Sequence, residues 1–169
     1  MGIRQENQAI RAFGALLQAR AFLVEELEKD LVAKRALPLA FFEALARLAD
    51  APEGRMRMQD LAAASLLSKS GITRLVDRMQ AASLVRRAAC ESDRRVTYAE
   101  ITPAGRKALR GAVTPHLAGV DRLFSSHLSE DELRQLRELL EKVLRANGQM
   151  PDAACDAMLE PELSDAASA

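Results

Sequence analysis

Leu67-Ser-Lys-Ser-Gly-Ile-Thr-Arg-Leu-Val-Asp-Arg-Met79 decides how the rest of this chain is read. Ser68 is a good helix N-cap, since its hydroxyl can accept from an amide of the first turn. Ile72, Leu75, Val76 and Met79 then recur at helical spacing and line one face. The opposite face offers Lys69, Ser70, Thr73, Arg74 and Arg78, which are short hydroxyls among long cations. Gly71 has no side chain and lets the start of the helix approach another backbone closely.

Immediately upstream, Gln59 to Ala64 reads as a short helix and Ser65-Leu-Leu67 as a tight turn. Downstream, Leu84 to Ala88 and Arg95 to Ile101 read as two short strands around a polar tip, Cys90-Glu-Ser-Asp-Arg94. Two helices joined by a tight turn, the second basic on its outer face, and then a basic-tipped hairpin describe a winged helix-turn-helix. The hydroxyls suit contact with bases or phosphates, and the cations suit guanine edges or phosphates. Arg94 and Arg95 at the hairpin tip are placed to enter a minor groove, where the potential is most negative. Double-stranded DNA is the expected partner.

The flanks are helical. Ile10, Leu17, Val24 and Leu31 repeat at seven, with Phe13 and Leu27 three residues after Ile10 and Val24, which makes a seam about four heptads long. Arg20 interrupts that seam, either snorkelling to an acid or facing an anion in a cavity. Leu37-Pro38 breaks the run, and Leu39 to Ala49 reads as a second helix, followed by a loop at Asp50-Ala-Pro-Glu-Gly54. Thr102-Pro103 starts a helix that can run towards His127, with Gly111, Pro115 and Gly119 expected to bend or loosen it. Leu128-Ser129-Glu-Asp-Glu132 is a staple residue and a capping box, and Leu133, Leu136, Leu140 and Val143 form a second seam.

The 169 residues suit one domain or two small lobes sharing a core. Ala and Leu supply 56 of them and Gly and Pro only 14, a balance that favours helix over a sandwich or barrel. Net charge is zero, but residues 55–107 hold 11 Lys and Arg against 5 Asp and Glu, while 108–169 hold 6 against 11. A basic middle on a neutral to acidic scaffold points to a polyanion partner. No apolar run approaches a membrane span and no signal peptide is visible at the start, so a cytoplasmic location and no membrane contact are expected. From Asn147 the chain carries acids and no Lys or Arg, and is expected to be a mostly disordered acidic tail.

Leu61-Ala62, Leu67 to Met79, Leu84-Val-Arg-Arg87, Asp93-Arg-Arg95 and Ile101-Thr-Pro-Ala-Gly-Arg106, taken in order, resemble the MarR family of transcriptional regulators. The resemblance is dense over residues 38–108 and fits the family's helix order along 5–146. It implies a mainly α fold with a small β-hairpin wing and a homodimer. Residues 5–35 and 103–146 would form the dimerisation lobe, 36–102 the DNA-binding lobe, and 147–169 the tail. The recognition helix would begin at Ser68. Arg95 would reach the minor groove with Asp93 as its brace, and Arg94 would be a further contact.

Two positions depart from the family's pattern. Ser83 stands where a glycine precedes the first wing strand, a source of strain if φ is positive there. Ala89-Cys90 replaces an acid-proline pair at the entry to the tip. The resemblance also implies a small aromatic or phenolic effector between the lobes, for which Phe13, Leu17, Arg20, Phe41, Phe42 and His116 are the lining candidates. The protein would then be a repressor released by that effector.

Other readings stay open. Cys90 lies between Arg86-Arg87 and Arg94-Arg95, a setting that can lower a thiol pKa and make the wing redox-responsive. A winged helix can also serve as a protein-interaction module. Cys90 and Cys155 show no disulfide or zinc spacing. His116 and His127 would share a helical face about 16 Å apart, too far to chelate one ion within a chain. No cofactor and no metal is expected. Neither a nucleophile elbow nor a phosphate-cradling glycine loop is present, which argues against an enzyme.

Overall fold

The computed structural model describes residues 3–65, 67–89 and 96–149. Helix α1 runs from Ile3 to Arg35 and α2 from Leu39 to Asp50. Strand β1 spans Arg55–Arg57, followed by α3 (Met58–Ala64) and α4 (Lys69–Ala81). Strands β2 (Val85–Ala89) and β3 (Thr97–Ile101) precede α5 (Pro103–Leu123) and α6 (Glu130–Ala146). The sheet is antiparallel in the order β1-β3-β2, with Val85 opposite Ile101 and Arg55 opposite Glu100. A mostly helical chain with a small sheet is what the sequence predicts. Strand β1 is an addition: three residues, Arg-Met-Arg, are too few to show alternation.

Helix α2 is the centre of the core. Phe42, Leu45 and Leu48 are fully buried against Leu61 of α3, Ile72, Val76 and Met79 of α4, Val85 and Ala99 of the sheet, and Leu31 of α1. Each such side chain contributes roughly 1.5–3 kcal/mol by leaving water. Pro38 cannot cap α2 with its own side chain. Glu28 of α1 does so instead, its carboxylate accepting from the Leu39 amide.

Helix α5 is continuous through Pro115, and the structure shows how. Proline has no N–H for the carbonyl four residues back, which is that of Gly111. Arg35 Nε, at the end of α1, donates to the Gly111 oxygen at 2.6 Å and replaces the missing partner. Four residues beyond Pro115, a methyl on Gly119 would lie 2.8 Å from Leu27 Cδ2. The two breakers therefore seat α1 rather than end α5. The helix stops at Leu123, and His127 lies in the separate Ser125–His127 turn, so the expected shared face for His116 and His127 does not exist.

Thr102 joins the base of the sheet to α5. Its hydroxyl accepts from Gly105 N at 3.0 Å, and its proton lies between the carbonyls of Ser83 (2.7 Å) and Leu84 (3.0 Å). A Cβ on Gly105 would collide with the Leu84 carbonyl oxygen, so α5 starts this close to β2 only because that side chain is absent. Ser83 itself sits at φ 59°, the strained conformation the missing glycine would have relieved.

The ends of the chain pack little on their own core. Ile10, Phe13, Leu17 and Val24 of α1 are exposed, and only from Leu27 onward does the seam meet α5. In α6 no residue is buried, and Leu139 and Val143 are 61% and 60% exposed. Its N-terminus is nonetheless fully capped: Ser129 Oγ and the Glu132 carboxylate close the box reciprocally.

Candidate nucleic-acid interface

Helix α4 presents a buried face and a fully solvent-facing one. Ser68 takes extended φ/ψ, and its Oγ accepts from Gly71 N at 3.1 Å, as an N-cap requires. Ile72, Leu75, Val76 and Met79 face the core. Lys69, Ser70, Thr73, Arg74 and Arg78 are exposed on the other side. The spacing that separates the two sets in the sequence separates them in space.

Several of these groups are already engaged within the chain. Ser68 Oγ lies 3.1 Å from Ser70 Oγ, and Thr73 Oγ1 donates to Lys69 O at 2.8 Å. The hydroxyls therefore offer mainly acceptor capacity, suited to base amines or water, and the exposed cations have the chemistry that suits phosphates. At Gly71 the nearest atoms to an added Cβ are Ser68 Oγ (3.2 Å) and Leu67 Cβ (3.5 Å). The glycine thus lets the turn before α4 close on itself. Arg74 makes no ion pair among the described residues. The guanidinium of Arg78 lies over the ring of Phe41 in α2, 5.1 Å from its centroid.

The wing strands are braced by ion pairs. Arg86 meets Glu100 across β2 and β3 at 2.6 Å, and Arg87 reaches Asp77 of α4 at 2.8 Å. Between α4 and the sheet lies an open cleft of about 430 Å³, walled by Arg57, Lys69, Thr73, Arg87 and Thr97. Arg57 escaped the sequence reading, and Arg87 and Asp77, though they stand in its motifs, were given no place in the site. Arg57 stands at the N-cap of α3 and reaches this cleft only because β1 pairs with β3. The signal for Asp77 was its place on the outer face of a helix followed by paired arginines. Cys90, Asp93, Arg94 and Arg95, the expected wing tip, lie outside the described residues, as does the tail beyond Gln149.

The six effector candidates do not converge within one chain. Phe13, Leu17 and Arg20 are exposed on the free half of α1, whereas Phe41 and Phe42 are core residues of α2. His116 of α5 packs on Phe42 with ring centroids 4.4 Å apart. Its Nδ1 is buried without a hydrogen-bond partner among the described residues, and burial holds the imidazole below its ordinary value. No group of three or more His, Cys, Asp or Glu among the described residues could hold a metal ion. No helix among them is long and apolar enough to cross a membrane.

Comparison with known proteins agrees with this geometry. A model of the MarR family matches residues 37–96, which span α2 to the first wing strand. The chain is 35% identical over 91 residues to the HTH-type transcriptional regulator MhqR of Bacillus subtilis (strain 168), covering 54% of this chain and 62% of that regulator's length. AbsC, a MarR family transcriptional regulator from Streptomyces coelicolor, shares 37% identity and a TM-score of 0.76, with 82% of this chain and 93% of AbsC covered. Sco3205, another MarR family regulator from Streptomyces coelicolor and solved in complex with DNA, shares 26% identity and a TM-score of 0.77, covering 90% of this chain and 92% of Sco3205. On the family match and on 37% identity with AbsC over most of both chains, the chain belongs to the MarR family of transcriptional regulators.

Proposed function

We propose that this protein is a transcriptional repressor that binds a pseudopalindromic operator as a homodimer and is released by a small aromatic or phenolic effector. The observation that carries the reading is the coexistence of two unpartnered faces in one chain. One is the outer face of α4, with Lys69, Arg74 and Arg78 exposed beside the cation-lined cleft. The other is the apolar stripe of α6 and the free half of α1, which a single chain leaves in water. Pairing two chains through residues 5–35 and 103–146 would cover that stripe and set two α4 helices side by side.

In that arrangement Ser68, Lys69, Ser70, Thr73, Arg74 and Arg78 face a major groove. Arg94 and Arg95, braced by Asp93, reach the neighbouring minor groove. Half-sites are then about one helical turn (10–11 bp) apart. Residues 36–102 form the DNA-binding lobe. Sco3205, of the same fold and solved with DNA, supports the reading. His116 of α5 packing on Phe42 of α2 brings two of the effector candidates together, which supports an effector between the lobes.

The test is binding to the intergenic DNA upstream of the protein's own gene, at two salt concentrations with random competitor. Nanomolar, competitor-resistant binding by a dimer is expected. Arg95→Ala should weaken cognate and random DNA alike and flatten the salt dependence. Arg74→Ala should cost about 1–3 kcal/mol and relax sequence preference. Weak binding to every candidate promoter, erased by salt, would overturn the proposal.

A further inference from the structure

Arg78 is held in an unusual way for a cation on a recognition helix. It is exposed, and no carboxylate pairs with it among the described residues, since the acid beside it in sequence, Asp77, is committed to Arg87. Its guanidinium instead lies over Phe41, 5.1 Å from the ring centroid. The difference matters chemically. A carboxylate that fixed the guanidinium would occupy its fork of donors and cancel its charge. An aromatic face fixes the same group from one side and leaves both the charge and the in-plane N–H donors available.

The platform under the guanidinium is itself rigid. Phe41 is 6% exposed on α2, and its neighbour Phe42 is fully buried and packed on His116 of α5 at 4.4 Å. A leucine at position 41 would keep the site apolar at some cost in packing, but it would offer no π face. A long arginine side chain that is already oriented loses less conformational freedom when it meets a phosphate or a base edge.

We propose that Phe41 is a positioning residue for DNA binding: it never touches DNA, and it acts by orienting Arg78 on the flank of α4. This rests on the DNA-binding reading above. It assigns to the core-facing side of α2 a share of DNA affinity that contact analysis would credit to α4 alone.

The test is a double-mutant cycle read by fluorescence anisotropy, on the upstream duplex and on a random duplex at low salt. Phe41→Leu should weaken binding about threefold to tenfold, the range expected for a modest cation–π contact. Phe41→Tyr, which keeps the ring, should stay within about twofold of the parent. Arg78→Met, at an exposed position that the fold does not need, should weaken binding at least as much as Phe41→Leu. In the double variant Phe41→Leu should add nothing further. In the free protein, the Arg78 Nε–H resonance should carry an upfield ring shift that Phe41→Leu abolishes and Phe41→Tyr retains.

Equal binding by Phe41→Leu and the parent overturns the role of Phe41 and leaves the DNA-binding reading intact. So does a loss that Phe41→Leu repeats in full on the Arg78→Met background, since it would then act through the general fold. Absence of any DNA binding by the parent overturns the DNA-binding reading and this role together, whatever the Arg78 resonance shows.

Discussion

Asp77 on α4 and Arg87 on β2 meet at 2.8 Å, so helix α4 and the first wing strand are clamped by a pair that spans two elements. Both side chains remain substantially exposed, Arg87 at 35% and Asp77 at 54%. Solvent screening therefore limits what the clamp adds to stability. Asp77→Asn is expected to cost about 0.2–1 kcal/mol, read as a small shift of the urea midpoint at unchanged slope. A loss above about 2 kcal/mol would mean that the pair is a structural requirement.

Ser83 and its φ of 59° give the opposite sign. Ser83→Gly removes the clash of Cβ in a left-handed conformation and keeps the carbonyl that accepts from Thr102. After the entropy glycine adds to the unfolded chain, a net gain of about 0.5–1 kcal/mol is expected, visible as a raised Tm. A lowered Tm would show that the serine hydroxyl contributes something the backbone geometry does not reveal.

Two glycines of α5 separate rigid from yielding neighbours. At Gly105 an added methyl meets a backbone carbonyl of β2, which cannot move without breaking the Thr102 junction. At Gly119 it meets the end of the Leu27 side chain, which can turn. Gly105→Ala should cost about 2–4 kcal/mol and Gly119→Ala about 1 kcal/mol or less. Denaturant titration of the two variants side by side checks the order, and a reversal would refute the explanation.

His116 predicts a pH effect. Because burial depresses its folded pKa below the ordinary 6.5, the unfolded chain takes up this proton first. The stability associated with the neutral ring is complete above that ordinary value and declines as pH falls from it towards the lower folded value. Carboxylates act only at more acid pH: Arg122 and Lys34 lower Asp30, and the Ser129 amide and hydroxyl lower Glu132. Melts at about pH 7, 6 and 5 should therefore show a slope in the parent that His116→Leu lacks. An identical slope in both would remove His116 from the account.

Val143 tests the assembly. It is 60% exposed in the single chain, so Val143→Glu should change monomer stability by less than about 0.5 kcal/mol. If α6 is covered by a second copy, the same charge should dissociate the dimer, seen by light scattering after size exclusion. A dimer that persists with Val143→Glu would place the interface elsewhere.

Which of these features the sequence revealed depends on the range of the interaction behind each. The N-cap at Ser68, the capping box at Ser129 and the buried stripe from Ile72 to Met79 depend on neighbours within one helical turn, and all stand as read. The strain at Ser83 was legible for the same reason, as a local backbone demand met by the wrong residue. Arg35 repairing the carbonyl freed by Pro115 was not, because it requires knowing that the end of α1 lies across the middle of α5, 76 positions away in sequence. Strand β1, the Asp77–Arg87 clamp and the Phe41–Arg78 contact share that long range. The effector candidates were placed by analogy of position, and a single chain leaves half of them in solvent.

The free stripe of α6 changes what dilution does to this protein. In the proposed dimer, a helix of 17 residues with a closed capping box but no buried side chain would be held almost entirely by association, whereas the α2-centred core is complete within one chain. Lowering the protein concentration should therefore act as a denaturant on the two ends of the molecule and spare its middle. Helical signal would then melt in two steps, the first moving with concentration and the second fixed.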